Sequence, residues 1–241
     1  MSRTLYLVSD AHLGAGSTEQ EALKLSRLAS LFRRVAEERA ELAILGDLFD
    51  FWFEYRTVVQ SEHLGVIRLL EELRDKGCPV YMVAGNHDFW LGGFIRRRLG
   101  IQVEMDSLSL EREGCRIYLA HGDGLGPGDT GYKMLKTVLR FPPNIWLYRL
   151  LHPDLGIPLA KWFSRISRNH ITKDRYLERD PLWQVAREKF RQGYRAVAMG
   201  HVHIPSLRQE GEGTYCNLGD FITHFTYGKL QDGRLSLERI S

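Results

Sequence analysis

Residues 41–50 read Glu-Leu-Ala-Ile-Leu-Gly-Asp-Leu-Phe-Asp, a five-residue apolar run that stops at a Gly-Asp corner, with a second carboxylate, Asp50, three positions on. A short apolar run ending at a polar, glycine-marked corner is the pattern of a buried strand whose end carries a loop. The pattern recurs at residues 4–9, 79–84, 115–120 and 195–199. Between the first two runs Leu25, Leu28, Phe32 and Val35 fall at helical spacing, and Val66, Leu69, Leu70 and Leu73 do so before the third, giving helices with one apolar face. The chain therefore opens as strand, helix, strand, helix, strand. After Gly200 it changes to short alternating segments at 213–217, 225–230 and 234–238, marked off by Gly and Asp-Gly, which read as an antiparallel tail. The expected fold is a layered α/β domain with mixed sheets, strand ends carrying the functional loops.

At 241 residues the chain fits one large domain. The stretch 131–192 stands apart: it holds Pro142-Pro143, aromatic helical segments around Trp146, Tyr148 and Trp162-Phe163, and many cations. It is expected to be a helical insertion within the single domain 1–241. The net charge of +3 is unevenly divided, because residues 133–195 carry 14 Lys and Arg against 5 Asp and Glu. That segment is basic and the remainder acidic. With 44% hydrophobic and 26% charged residues, and no apolar run near the roughly 20 residues that span a bilayer, a transmembrane helix is not expected. The start, Met1 to Leu7, passes directly into a strand-like run and reads as a cytoplasmic beginning. Cys78, Cys115 and Cys216 lie far apart beside strand-like runs and read as reduced core residues.

Five polar clusters stand at the ends of the five strands: Asp10-Ala-His12, Gly46-Asp47-x-x-Asp50, Gly85-Asn86-His87-Asp88, His121-Gly-Asp123 and Gly200-His201-Val-His203. Divalent metals of hard or borderline character take carboxylate, amide oxygen and imidazole ligands, and strand ends hold such groups rigidly. Asp10 and His12, two apart on extended chain, face one side and can reach one ion. Asp47 can bridge two ions through its two oxygens. Asn86 offers an amide oxygen, His121 and His201 offer imidazoles, and His203 can point back to the first ion. Each ion then has about four protein ligands and open positions for water and substrate, as a catalytic centre needs. Asp50, Asp88 and Asp123 read as supports that fix the histidines, with turn formation as the alternative. His63, His152 and His170 read as exposed or capping residues, while His224 suits either substrate contact or strand packing.

In this order D-x-H, G-D-x-x-D, G-N-H-D, H-G-D and G-H-x-H resemble the calcineurin-like metallophosphoesterase family, across most of the chain outside 131–192. The resemblance implies a sandwich built from βαβ units and a helical lid. Two ions are implied, usually manganese with iron or zinc as alternatives. Asp10, His12, Asp47 and His203 would hold one, and Asp47, Asn86, His121 and His201 the other. Residues 46–52 (Gly-Asp-Leu-Phe-Asp-Phe-Trp), 86–89 (Asn-His-Asp-Phe), Asp129 with Tyr132-Lys133, and 217–221 (Asn-Leu-Gly-Asp-Phe) further resemble the UDP-2,3-diacylglucosamine hydrolase subfamily of lipid A synthesis. That subfamily implies a nucleotide-linked glycolipid substrate, cleaved to UMP and 2,3-diacylglucosamine 1-phosphate on the cytoplasmic face of the inner membrane, where the enzyme is peripheral. Asn86, His87, Asp129, Lys133, Asn169, Lys173 and His201 would contact it.

Many members of the subfamily carry Arg directly after the ligand Asn. This chain carries His87, the wider family's choice, placed to protonate a leaving group or steady the phosphoryl oxygens, with Asp88 orienting it. The insertion has two readings, a solvated cap with its own small core, or an apolar face at Leu139, Phe141 and 145–147 with Arg140, Arg149, Lys161 and Arg165 toward lipid phosphates. A basic, aromatic surface also suits nucleic acid, so a nuclease or nucleotide phosphodiesterase is the alternative. A non-catalytic scaffold of this fold would lack ligands, and all seven are present here.

Overall fold

The computed structural model describes residues 3–112, 114–126, 136–170 and 180–240, residues 166–170 by their backbone alone. Two sheets face each other. The first has the strand order β11-β10-β1-β2-β3-β4, with β1 at Leu5–Val8, β2 at Glu41–Leu45, β3 at Val80–Val83, β4 at Gln102–Glu104, β10 at Thr226–Gln231 and β11 at Arg234–Arg239. The second has the order β5-β6-β7-β9-β8, with β5 at Ser107–Arg112, β6 at Cys115–Ala120, β7 at Ala196–Met199, β8 at Ser206–Glu210 and β9 at Gly213–Asn217. The five strands expected from the apolar runs all form, and β1 to β3 pair in parallel, Leu7 opposite Ala43 and Ala43 opposite Tyr81.

Alternation along these strands sorts the core into layers. Leu5 and Leu7, Ala43 and Leu45, and Val83 point inward against Ile117, Leu119, Ala198 and Cys216 of the second sheet. Tyr6 and Val8, Leu42 and Ile44, and Met82 point outward to α1 (Thr18–Glu37) and α2 (Leu64–Asp75). Successive strand residues face opposite ways, so a strand covered on both sides must be apolar throughout. Helix α1 starts at a capping box in which Ser17 and Gln20 exchange side-chain bonds to each other's backbone nitrogen. On the far side of the second sheet Tyr118, Val197, Met199 and Tyr215 pack with Leu182 and Ala186.

Three expectations need correction. The tail is mixed, because β9 pairs in parallel with β7 and only its other neighbour β8 is antiparallel. A chain that crosses over between β7 and β9 by way of β8 gives no local signal of this. The tail's last hairpin is as expected: Gln231 faces Arg234, and Asp232-Gly233 turns with φ of 51° and 72°, which suits a two-residue loop. Helices within 131–192 divide in their packing. Helices α3 (Pro142–Arg149) and α4 (Pro153–His170) expose Trp146, Leu155, Trp162 and Phe163. Helix α5 (Pro181–Arg191) instead buries Leu182 and Ala186 on the second sheet, and is the outer layer of the sandwich. Its cap is Asp180, which accepts from Leu182 N and from the hydroxyl of Tyr215 on β9.

His63 is the third. It is 1% exposed, packed on Phe49, with its Nε2 3.2 Å from the Phe51 carbonyl oxygen. Burial, partly offset by Glu62, lowers its pKa to about 4. The unfolded chain thus takes up a proton near pH 6.5 that the folded chain refuses until about pH 4, so the contribution is complete above pH 6.5 and is lost as pH falls through that window. Its size is a few kcal/mol, at ~1.4 per pH unit. Replacing His63 with Gln should therefore narrow the gap between urea midpoints at pH 7 and pH 4.5; an unchanged gap would refute the assignment.

Candidate metal centre

The carboxyl ends of β1, β2 and β3 from one sheet and of β6 and β7 from the other meet at one edge of the sandwich. Backbone bonds lace the loops together: His12 N donates to Asp47 O at 2.9 Å, Leu13 N to Leu48 O at 2.9 Å, Asp50 N to Leu13 O at 2.9 Å, and Gly200 N to His121 O at 2.9 Å. Asp10, His12, Asp47, His201 and His203 all have positive φ, between 42° and 69°. Such backbone costs about 1–3 kcal/mol per residue and persists where the surroundings enforce it, commonly at functional sites. Here five expected metal ligands carry it.

Three groups of donors converge, each within 4.8 Å: Asp10, His12 and His203; Asp10, Asp47 and His121; and His12, Asp47 and His87. In the first, His203 Nε2 lies 3.2 Å from Asp10 Oδ1 and 3.3 Å from His12 Nε2. In the second, His121 Nε2 lies 3.3 Å from Asp47 Oδ2 and 3.0 Å from Asn86 Oδ1. Asp47 Oδ2 is also 3.6 Å from His12 Nε2, so this one carboxylate spans the groups. His201 stacks edge-on against His121 with ring centres 5.1 Å apart, and its backbone nitrogen donates to Asp10 Oδ2. All seven expected ligands are thus brought together.

The donor set fits divalent metal. Asp10 Oδ1 is buried and turned toward imidazole nitrogens, His203 Nε2 at 3.2 Å and His12 Nε2 at 3.9 Å, a mix of donor types that divalent cations share. His121 Nδ1 lies 2.8 Å from the Leu45 carbonyl oxygen, to which it can only donate, so Nε2 is the nitrogen that faces the centre. Burial opposes a charge on this ring, but Asp47 outweighs it and holds the pKa well above the ordinary value, so a metal bound there would displace a proton. Burial lowers His12 to about 3, with His87 and His203 adding to it. Burial and the neighbouring His121 lower His201 to about 4. The His12 and His201 rings are uncharged at neutral pH, as ligands must be. Burial opposes ionisation of Asp10 and Asp47, but the surrounding imidazoles outweigh it, holding Asp10 at about 2 and Asp47 well below its ordinary value.

The supporting acids have distinct tasks. Asp50 Oδ1 is 3.6 Å from His12 Nδ1, and its carbonyl oxygen is 3.1 Å from His87 Nδ1. Asp123 pairs with Lys136 at 2.9 Å. Asp88 does not orient His87. Its Oδ1 accepts from Asp47 N and Gly85 N and its Oδ2 from Leu48 N and Phe49 N. A buried carboxylate bound by four backbone N–H groups clamps the loops after β2 and β3 together, and its pKa of about 6 reflects burial and then the Asp47 charge.

Two residues had escaped the sequence reading. Lys24, on the buried side of α1, donates to the carbonyl oxygens of Ala11 at 3.0 Å and His12 at 2.7 Å and pairs with Glu21 at 2.6 Å, tying down the Asp10–His12 loop. Asp220 accepts from the backbone of 222, 223 and 224 and lies 3.8 Å from His203 Nδ1; His224 turns to it at 3.1 Å. Ser164 reaches His87 from α4. Asp129, Lys133 and Lys173 lie outside the described residues, as does the side chain of Asn169.

A family model described as calcineurin-like phosphoesterase matches residues 3–205. A UDP-2,3-diacylglucosamine hydrolase of Porphyromonas gingivalis is 29% identical over 259 residues, covering 99% of this chain and 98% of its own. One of Neisseria meningitidis serogroup B is 31% identical over 224 residues, covering 90% and 89%. Among solved structures, a phosphoesterase from E. coli aligns with a TM-score of 0.48 at 20% identity, covering 99% of this chain and 93% of that one.

Proposed function

Since the chain belongs to the calcineurin-like phosphoesterase family and is a metal-dependent hydrolase, we propose that it cleaves UDP-2,3-diacylglucosamine to UMP and 2,3-diacylglucosamine 1-phosphate. The observation that carries the substrate is the match to hydrolases of that name along nearly the whole of both chains. Asp10, His12, Asp47 and His203 would hold one ion, and Asp47, Asn86, His121 and His201 the other, manganese being our choice with iron and zinc as alternatives. Two such ions acidify water and neutralise the phosphoryl oxygens. The remaining work falls to side chains. His87, sharing a donor group with His12 and Asp47, steadies the phosphoryl group or hands a proton to the leaving oxygen. An anhydride expels a phosphate, which needs that proton less than an alkoxide does. Histidine can therefore stand where many relatives carry Arg. Asp129, Lys133, Asn169 and Lys173 complete the substrate contacts in this reading.

Beside the centre, where Trp52 and Phe89 follow the loops after β2 and β3, lies a cavity of about 920 Å³ whose lining is mostly apolar, with six aromatic residues, and which Arg56, Arg97, Arg98 and Arg149 also line. Its size and apolar wall suit an acyl chain. Phe141, Trp146, Leu147, Leu155, Trp162 and Phe163 are each more than half exposed, a face suited to a bilayer interface with the basic residues of 133–195 toward anionic headgroups. No helix among the described residues is long and apolar enough to cross a membrane, so contact would be peripheral, at the cytoplasmic face of the inner membrane. The same basic, aromatic surface supports a second reading, a nucleotide phosphodiesterase or nuclease.

The test is release of UMP from UDP-2,3-diacylglucosamine with manganese, beside bis(p-nitrophenyl) phosphate and single-stranded DNA. UMP release with poor turnover of both competitors is expected. Cleavage of the diester or DNA alone would leave the metal centre and remove the lipid substrate.

A further inference from the structure

Ser164 is the point at which the outer helices meet the centre. It is 8% exposed, whereas Trp162 and Phe163 just before it are 53% and 57% exposed. Its Oγ stands 2.8 Å from His87 Nδ1, 3.0 Å from Asp50 Oδ1 and 3.2 Å from the Asp50 carbonyl oxygen. A hydroxyl has one proton and two lone pairs. The Asp50 carboxylate is the stronger acceptor and draws the Ser164 proton. The Ser164 oxygen and the Asp50 carbonyl, 3.1 Å away, are then both acceptors facing His87 Nδ1. Nδ1 must carry a proton in either charge state of the ring, which leaves Nε2 as the atom that gives or takes one.

We propose that Ser164 is a positioning residue that fixes the tautomer and aim of His87 from helix α4, so that seating of the helix over the centre and readiness of His87 are one event. A second tie from α4 to the core among the described residues, Lys161 to Glu62 at 2.6 Å, is a surface pair worth about 1 kcal/mol or less. Helix α3, to which α4 is joined by the Tyr148 hydroxyl donating to the Gly156 carbonyl, sets Tyr148 edge-on against Phe51 and Phe53. These contacts hold the helices without reading the state of the centre. Ser164 reads it, through a side chain in direct contact with His87 and Asp50.

The inference rests on the proposed part of His87 in turnover, so the test has an arm independent of activity. Long-range proton–nitrogen spectra of the metal-free, histidine-labelled protein, with His87 assigned by loss of its signals in His87→Gln, should show a pure Nδ1–H tautomer. Ser164→Ala should give a mixture, and Ser164→Thr should restore the single form. In kinetics with manganese, Ser164→Ala should lower kcat for an alkyl phosphodiester about tenfold, part of the 10²–10⁴ that a positioned proton donor supplies. KM should stay unchanged, and the loss should be smaller with bis(p-nitrophenyl) phosphate, whose leaving group departs as an anion. In the His87→Gln background the same substitution should cost nothing more. An unchanged tautomer, or an equal loss in that background, overturns the proposal. A mixed tautomer with full kcat in both Ser164→Ala and His87→Gln removes His87 from turnover, and the catalytic half of the proposal with it, while the contact itself stands.

Discussion

Asp47→Ala is expected to abolish turnover, by at least about a thousandfold in kcat, whereas His87→Ala should leave measurable activity. The difference follows from what each side chain touches. Asp47 Oδ2 faces His121 at 3.3 Å and His12 at 3.6 Å, one from each donor group, so in the proposed two-ion centre its loss opens both positions together. Its Oδ1 also accepts the His87 backbone N–H at 2.9 Å, so the loop after β3 loosens as well. His87 lies at the border of the groups, and an anhydride substrate asks little of a proton donor. Because Asp47 has a φ of 53°, Ala there also carries a backbone cost of about 1–2 kcal/mol. Asp47→Asn, which tolerates that conformation, separates the two effects: it should fold as the parent does yet bind less metal after dialysis. Equal loss of activity in Asp47→Ala and His87→Ala, or full metal content in Asp47→Asn, would refute the bridging role.

The parallel strands were legible because burial on both faces demands unbroken apolar runs, and 4–9, 41–45 and 115–120 have no other use for one. The donor residues were legible for a related reason: hydrophilic clusters directly after such runs must lie at sheet edges, and five edges in parallel register share one rim. Strands β4, β5 and β8 were missed. Gln102–Glu104 is three residues long, and Ser107–Arg112 alternates in a half-buried way that an edge strand shares with a loop. The task of Asp88 was misjudged because adjacency in sequence suggested a side-chain partner, whereas its carboxylate turns to backbone N–H groups of the loop after β2. Lys24 did leave a signal. Its position in α1 falls in the row of Leu28, Leu31 and Val35, all buried, and a cation in an apolar row needs a buried acceptor. The contact of Ser164 with His87 left none, since a serine beside exposed aromatics on a helix is unremarkable until the helix is placed.

Gly85→Ala should be nearly as damaging as the loss of Asp47, without removing any functional group. A methyl added at Gly85 would overlap the Asp47 backbone nitrogen, which the Asp88 clamp holds, and the Asp47 carboxylate, which the His87 backbone N–H and the His121 ring hold. Neither neighbour is the free end of a flexible side chain, so the loops after β2 and β3 must part. Overpacking of this kind costs on the order of 3 kcal/mol, and the displacement falls on the carboxylate shared by the donor groups. Metal content after dialysis and kcat should both fall by about a hundredfold or more, since small misplacements of reacting groups cost that much. Gly77→Ala is the control. Gly77 has a φ of 70° with nothing within 4 Å of an added methyl, so the change should cost only about 1 kcal/mol of backbone energy and leave metal binding and turnover intact. Denaturation midpoints, metal content and kcat measured on the two variants together distinguish the accounts. If Gly85→Ala loses stability yet keeps its metal, the close approach of the loops serves folding alone; if it keeps both, the centre is looser than the shared carboxylate requires and the bridging geometry of Asp47 is wrong.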